Sequence, residues 1–257
     1  MASDVGASAV SLLAGFTLLQ LAVAGLTALS AAFVRGLAGF GLAIILVPVL
    51  ALALSPVEAV LVTNFVALFI GLSELRRLLS DAEHTARVIA LWVALATAPG
   101  LILLAATPPD LARLLIAIVA LLAFLAVLVP VRPAAVPGRV HTGATGIAAG
   151  LLTGFAGMPG PPVVPYYVGR AIPRQAAKAS MLLIFTVAAL AGLASGWAIG
   201  VMEWRLAILA AAMFPLVLLG NWLGSLAFGK VSDRVWRGFV GLTLAAAALA
   251  ALWKLLA

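Results

Sequence analysis

"VRGLAGFGLAIILVP", residues 34–48, sets an arginine at the end of one apolar run, then three glycines within six residues, and a proline at the end of the next run. In a water-soluble chain, Gly-Leu-Ala-Gly-Phe-Gly would read as a phosphate-cradling turn. The surrounding sequence decides against that. Apolar stretches near or above about 18 residues recur along the whole length, each able to cross a hydrocarbon core about 30 Å thick. Of 257 residues, 65% are hydrophobic and 9% charged, whereas a soluble domain has about 25% charged residues. Mean hydropathy is +1.27. Eight acidic and fifteen basic side chains cannot form the polar shell of a soluble domain. Runs such as "LLIAIVALLAFLAVLV" show none of the alternation of a β-barrel strand. The expected fold class is an all-α polytopic membrane protein with about 8–10 membrane segments.

The net charge of +7 is not arranged as a basic stripe interleaved with aromatics, so nucleic acid is not an expected partner. Cysteine is absent, which excludes disulfides, thiolate chemistry and thiolate metal ligation. No Lys or Arg precedes Arg35, so the first apolar run lacks the basic start of a signal peptide and is expected to be a retained helix.

Polar punctuation gives ten apolar segments, at 8–33, 38–54, 57–77, 87–106, 111–130, 142–156, 159–171, 175–200, 205–228 and 233–256. The polar stretch "VRPAAVPGRVHTG", residues 131–143, divides the chain into a first membrane repeat, 1–130, a cytoplasmic linker, 131–141, and a second membrane repeat, 142–257. The halves echo each other. Gly36-Leu-Ala-Gly39 matches Gly154-Phe-Ala-Gly157, Pro48 matches Pro165, and Ser55-Pro56-Val-Glu-Ala59 matches Ile172-Pro173-Arg-Gln-Ala176, all at an offset of 117 or 118. If every segment crosses, twelve of the fifteen basic residues fall on one side, and only Arg113, Arg205 and Lys254 on the other. By the positive-inside rule the arginine-rich side faces the cytoplasm and both termini face outward. Five segments per half is an odd number, so the two repeats should be inverted, as in many secondary transporters.

The first two segments of each half are broken by glycine and proline. The second pair is short and joined by "GFAGMPGPP", residues 154–162, which no continuous helix absorbs. Either each segment crosses thinly, or each pair is a re-entrant hairpin with its turn at mid-membrane. Backbone released from helical pairing is tolerated in a bilayer only where protein or a water-filled cavity satisfies it. Glycine lets a ligand approach the backbone, and a helix restarting there turns its positive end on an anion. The expected small-anion site is therefore built from Arg35, Gly36, Gly39, Phe40 and Gly41 with Thr153, Gly154, Gly157, Met158 and Gly160. Thr63, Asn64 and Ser180 are second choices.

Packing alone is the competing explanation for each glycine break. Arg35 is either an intramembrane anion ligand or a cytoplasmic positive-inside residue, with Thr153 at the matching position. The counterparts of Thr63 and Asn64 by the same offset are Ser180 and Met181. Asn221 reads as a helix-packing amide, Lys178 as a snorkelling side chain, and Glu74 as a helix-surface partner of Arg77. Tyr166 and Tyr167, like Trp197, Trp204 and Trp236, suit interfacial belts. His84 and His141 lie in polar loops, and no metal-ligand cluster, GxSxG, HExxH or Walker A pattern occurs. No catalytic residue, metal or cofactor is expected, and energy would come from an H+ or Na+ gradient or from the substrate's own.

"RGLAGFGLAIILVPVLALALSPVEAVLVTNFVALFIGLSELRR", residues 35–77, and its echo "GLLTGFAGMPGPPVVPYYVGRAIPRQAAKASMLL", residues 150–183, resemble the sulfite exporter (TauE/SafE) family over roughly 10–257. The chain departs from the glycine-richest members in having Gly-Leu-Ala-Gly-Phe-Gly and Met158-Pro159-Gly160-Pro161. The resemblance implies two related halves and transport of sulfur-containing anions, such as sulfite and organosulfonates like sulfoacetate, across the bacterial inner membrane. The expectation is a secondary transporter working by alternating access. Its expected partners are a small anion and the lipid bilayer, with a homodimer as an option. A channel-like anion pathway, a membrane scaffold subunit and, least supported, an intramembrane enzyme are the alternatives.

Overall fold

The structure is a computed structural model that describes residues 13–256 apart from 14, 39, 75, 77–79, 129–136, 169, 171 and 228–232. The described residues form ten helices and no strand: α1 Leu18–Ala38, α2 Leu42–Ala53, α3 Pro56–Ser73, α4 His84–Ala106, α5 Pro109–Leu128, α6 Arg139–Ala156, α7 Gly160–Val168, α8 Arg174–Ala198, α9 Trp204–Ala227 and α10 Asp233–Leu256. Seven of them, all but α2, α6 and α7, are long and apolar enough to cross a membrane. At 1.5 Å per residue α2 is about 18 Å long and α7 about 14 Å, well short of a bilayer core.

Two boundaries differ from the sequence reading. Helix α1 runs on to Ala38, so Arg35 and Gly36 are helical and not part of the turn. Helix α6 opens at Arg139, inside the stretch expected as linker. The start of α3 is set locally: Pro56 occupies the first turn, the Ser55 hydroxyl accepts from Glu58 N–H at 3.3 Å, and Glu58 accepts from Ser55 N–H at 2.8 Å. That reciprocal cap satisfies two donors the helix cannot pair itself.

Small residues decide which helices touch, because lipid removes the hydrophobic drive between them. Helix α6 packs on α4 through Gly146, Gly150 and Gly154, and a Cβ at Gly154 would lie 2.1 Å from Thr97 O and 2.4 Å from Leu101 N. Helix α1 packs on α9 in the same register: a Cβ at Gly36 would lie 2.2 Å from Asn221 O and 3.0 Å from Ser225 N. Gly36 and Gly154 are offset by 118, and Thr97/Asn221 and Leu101/Ser225 both by 124. The central crossing of α3 and α8 is reciprocal too. The Asn64 amide lies on Gly192, and Thr186 lies on Gly71. This matches Asn64 to Thr186 (186 − 64 = 122) and Gly71 to Gly192 (192 − 71 = 121). The expected counterparts Ser180 and Met181 are therefore displaced by about one helical turn, because α8 carries an extra turn before the crossing.

The larger apolar core is built mainly by α1–α3, α5, α9 and α10, and a smaller one by α4 and α6–α8. Tyr166 and Tyr167 are buried in the smaller core, contrary to the interfacial expectation. Their hydroxyls meet those of Thr142 at 2.9 Å and Thr85 at 3.1 Å, and the Arg170 guanidinium lies over both rings. Each polar tip thus has a partner inside the bundle. Trp197, Trp204 and Trp253 are exposed.

Candidate functional site

The breaks in α1–α2 and α6–α7 place special backbone at two glycines. Gly41, with φ 101°, precedes the first turn of α2, and Gly157, with φ 65°, ends α6. Residues with a Cβ rarely adopt such angles. Gly157 N–H donates to Thr153 O at 2.9 Å and Met158 N–H to Leu152 O at 3.1 Å, so the end of α6 is closed by its own backbone.

Both breaks border one cavity of about 100 Å³, between α2, α3, α7 and α8. One water needs about 10–15 Å³ on that measure, so the space holds a small solute with some hydration. Phe40 and Gly41 line it from the first half; Gly157, Met158 and Gly160 line it from the second. Arg35, Thr63 and Asn64 are also on its wall. Gly39 lies outside the described residues. The structure places the other four candidates elsewhere. Gly36 and Gly154 are consumed by helix packing. Thr153 is buried and its hydroxyl donates to Ala149 O at 2.7 Å. The Ser180 hydroxyl accepts from Glu83 N–H at 2.9 Å, at the start of α4.

The two helix starts facing this cavity are unequal. The first-turn N–H groups of α2, at Leu42, Ala43 and Ile44, lie too early in the helix for intrahelical partners, and no side chain caps them. In α7 the second and third residues are Pro161 and Pro162, which have no N–H to give. Donor capacity therefore comes chiefly from α2. The proline pair was visible in the sequence, and its consequence appears once α7 is seen to begin at Gly160.

Charge is unequal as well. Arg35 Nη1 donates to Asn221 Oδ1 at 2.7 Å, and Nη2 lies 3.6 Å from Glu74 Oε1. At the symmetry-related helix contact the corresponding residues are Thr153 and Thr97, whose hydroxyls each turn back to a carbonyl of their own helix, Ala149 O and Val93 O. Asn221 is thus the amide partner of a guanidinium as well as a packing residue. Glu74 is drawn to Arg35 across the bundle, while its expected partner Arg77 lies outside the described residues. Lys178, expected to snorkel, is exposed and also lines the cavity.

Thr63 and Asn64, at the middle of α3, are buried lining residues, 1% and 2% exposed. Among the described residues, Thr63 Oγ1 and Asn64 Nδ2 are the buried side-chain polar atoms without a hydrogen-bond partner. A buried unsatisfied donor costs about 1–3 kcal/mol, so a structure that keeps two beside a cavity is suited to a polar occupant. The remaining lining is overwhelmingly apolar, from Ile44, Ile70, Met181, Leu182 and Phe185 among others. Among the described residues no group of three or more His, Asp or Glu is placed to hold a metal ion.

At the opposite end of α3 from Glu74, Arg205 bonds to Glu58 and to Glu203 (2.5 Å) and lies over the Phe16 ring. Nearby, Arg113 donates to Asp110 at 2.6 Å and to Ala51 O at 2.7 Å. Helix starts α3 and α9, from different halves, are clasped there.

No curated protein and no solved structure matches the chain significantly. The family model for sulfite exporter TauE/SafE matches residues 23–251, both breaks and the whole cavity included. With seven helices long and apolar enough to span a bilayer and a match over nearly its full length, this multi-pass membrane protein belongs to the sulfite exporter TauE/SafE family of membrane transporters.

Proposed function

We propose that the chain is a bacterial inner-membrane secondary exporter of small sulfur-containing oxyanions, the class of sulfite and organosulfonates. Its two halves, 1–130 and 142–257, act as inverted repeats that alternate the access of one central cavity. The observation that carries this reading is the meeting of both glycine breaks, one from each half, on a single cavity with unpartnered Thr63 and Asn64. The open N-terminal turn of α2 supplies N–H donors and positive potential for an anion. Arg35 and Lys178 add positive charge to the lining. The exchange of packing partners between halves, α1 on α9 and α6 on α4, supports the repeat relationship. Five helices per half give the inversion, and the basic residues around the ends of α1 and α8 give the cytoplasmic side. An H+ or Na+ gradient drives the cycle.

The test is flux of radiolabelled sulfite or ethanesulfonate in proteoliposomes, with imposed proton and sodium gradients. The expected result is saturable, gradient-dependent flux that Asn64→Leu reduces at least tenfold. Flux that never saturates and ignores both gradients would replace the carrier by a channel, and no flux for any oxyanion would remove the transport reading for this cavity.

A further inference from the structure

Resting on the reading of this cavity as the substrate site, we infer that its preferred solute is a monoanionic sulfonate with a short apolar body rather than an inorganic or doubly charged oxyanion. Three observations on the lining converge. First, the charge available is about one unit. Among the described residues, Arg35 and Lys178 are the ionisable side chains on the wall, and Arg35 already faces Glu74 at 3.6 Å and holds Asn221 Oδ1 at 2.7 Å. Lys178 has no carboxylate partner among the described residues. A dianion would enter with one charge uncompensated in a low-dielectric setting, where such charges are costly.

Second, the donors are few and placed deep. Asn64 and Thr63 line the cavity and are nine-tenths or more buried, and Nδ2 of the one, which rests against Gly192, and Oγ1 of the other have no hydrogen-bond partner. The α2 N-terminal turn adds backbone N–H groups, while Pro161 and Pro162 deny them to α7. One oxyanion head can be satisfied by such a set; two cannot.

Third, the rest of the wall gives a hydrated inorganic anion nothing to bond. Met158, Met181, Leu182 and Phe185 present apolar surface where an inorganic oxyanion would need water or donors. Thioether and aromatic surfaces suit an alkyl or small-ring body. Burial of each methylene is worth about fourfold in affinity, from about 0.8 kcal/mol per CH2.

The experiment is calorimetric titration of the full-length protein in lipid nanodiscs with methane-, ethane-, propane- and butanesulfonate, ethane-1,2-disulfonate, sulfite and sulfate. Empty nanodiscs correct for partition into lipid. The inference expects affinity to rise about fourfold per methylene until the cavity is filled, with the disulfonate and both inorganic anions at least tenfold weaker than propanesulfonate. Lys178→Met, at an exposed position that does not threaten folding, should weaken every alkanesulfonate by a similar factor and leave the per-methylene increment intact. Asn64→Leu, where it folds, should do the same. A flat series, or sulfite or the disulfonate binding tightest, overturns the inference while the cavity keeps its role as an anion site. Binding of none of the set overturns both.

Discussion

Gly154→Ala is the sharpest test of how the helices are held. A methyl group at 154 would sit 2.1 Å from Thr97 O, 2.4 Å from Leu101 N and 2.7 Å from Gly100 C. All three are backbone atoms of α4, so no rotamer change relieves the contact. Cβ atoms essentially never approach closer than 3.0 Å, so α4 and α6 must separate by at least 0.9 Å (3.0 − 2.1) at this point. Overpacking of this kind costs about 1–3 kcal/mol. The better helix propensity of alanine returns up to about 1 kcal/mol, and with rigid backbone on all sides a net loss near 2 kcal/mol is expected. For a chain of this size that is a fall in melting temperature of about 4–8 °C. The assay is a thermal melt followed by tryptophan fluorescence, to which Trp92, packed against Gly146 on the same helix pair, contributes. Gly238→Ala is the control. It lies in α10 with nothing within 4 Å of the added methyl, so the same substitution should stabilise by up to about 1 kcal/mol. A Gly154→Ala protein that melts at or above the wild type, or a control that falls as far, would refute the packing argument.

Gly192→Ala puts a methyl 2.2 Å from Asn64 Nδ2, an atom at the end of a side chain. The amide should swing aside, so anion affinity falls about tenfold by titration with little change in melting temperature. Asn221→Leu removes the Oδ1 that holds Arg35 and should cost about 1–3 kcal/mol. The double variant Arg35→Met/Asn221→Leu should recover most of that in a double-mutant cycle. Gly157→Ala should destabilise by about 1–2 kcal/mol through its φ of 65°, while Gly157→Asn loses less. The Arg205 hydrogen bond holds the Glu203 carboxyl below its ordinary range. The group contributes stability above the ordinary glutamate range and loses it as pH falls through the lowered folded value. Glu203→Gln should flatten that acid limb in pH-dependent melts, by a small amount because the pair is largely exposed.

The membrane class, the helix order and both breaks were legible because each rests on a local property: run length, or glycine and proline where a helix cannot continue. What escaped the sequence depends on packing between distant segments. Gly36 looked like part of the turn beside Gly41, yet it is a helical contact against Asn221 O, since glycine serves close helix approach as readily as a bend. Ser180 and Thr153 carry the right chemistry, but Glu83 N–H and Ala149 O take up their hydroxyls. Tyr166 and Tyr167 resembled belt residues until Thr142, Thr85 and Arg170 gave their polar ends partners inside the bundle. The offset of 117 or 118 held for the breaks and failed at the α3–α8 crossing, where only three-dimensional contacts reveal the extra turn. Asn64 was named from the sequence as a second choice; that its Nδ2 has no partner was visible only with its neighbours in place.

The most direct test uses the absence of cysteine from the chain. Single cysteines at Phe40 and at Met158, one in each break, would be labelled in turn by a small thiol reagent in nanodiscs with and without propanesulfonate. One shared anion site predicts that the sulfonate slows labelling at both positions with the same half-maximal concentration. Protection at neither, or at one position alone, would contradict a site formed jointly by the two halves.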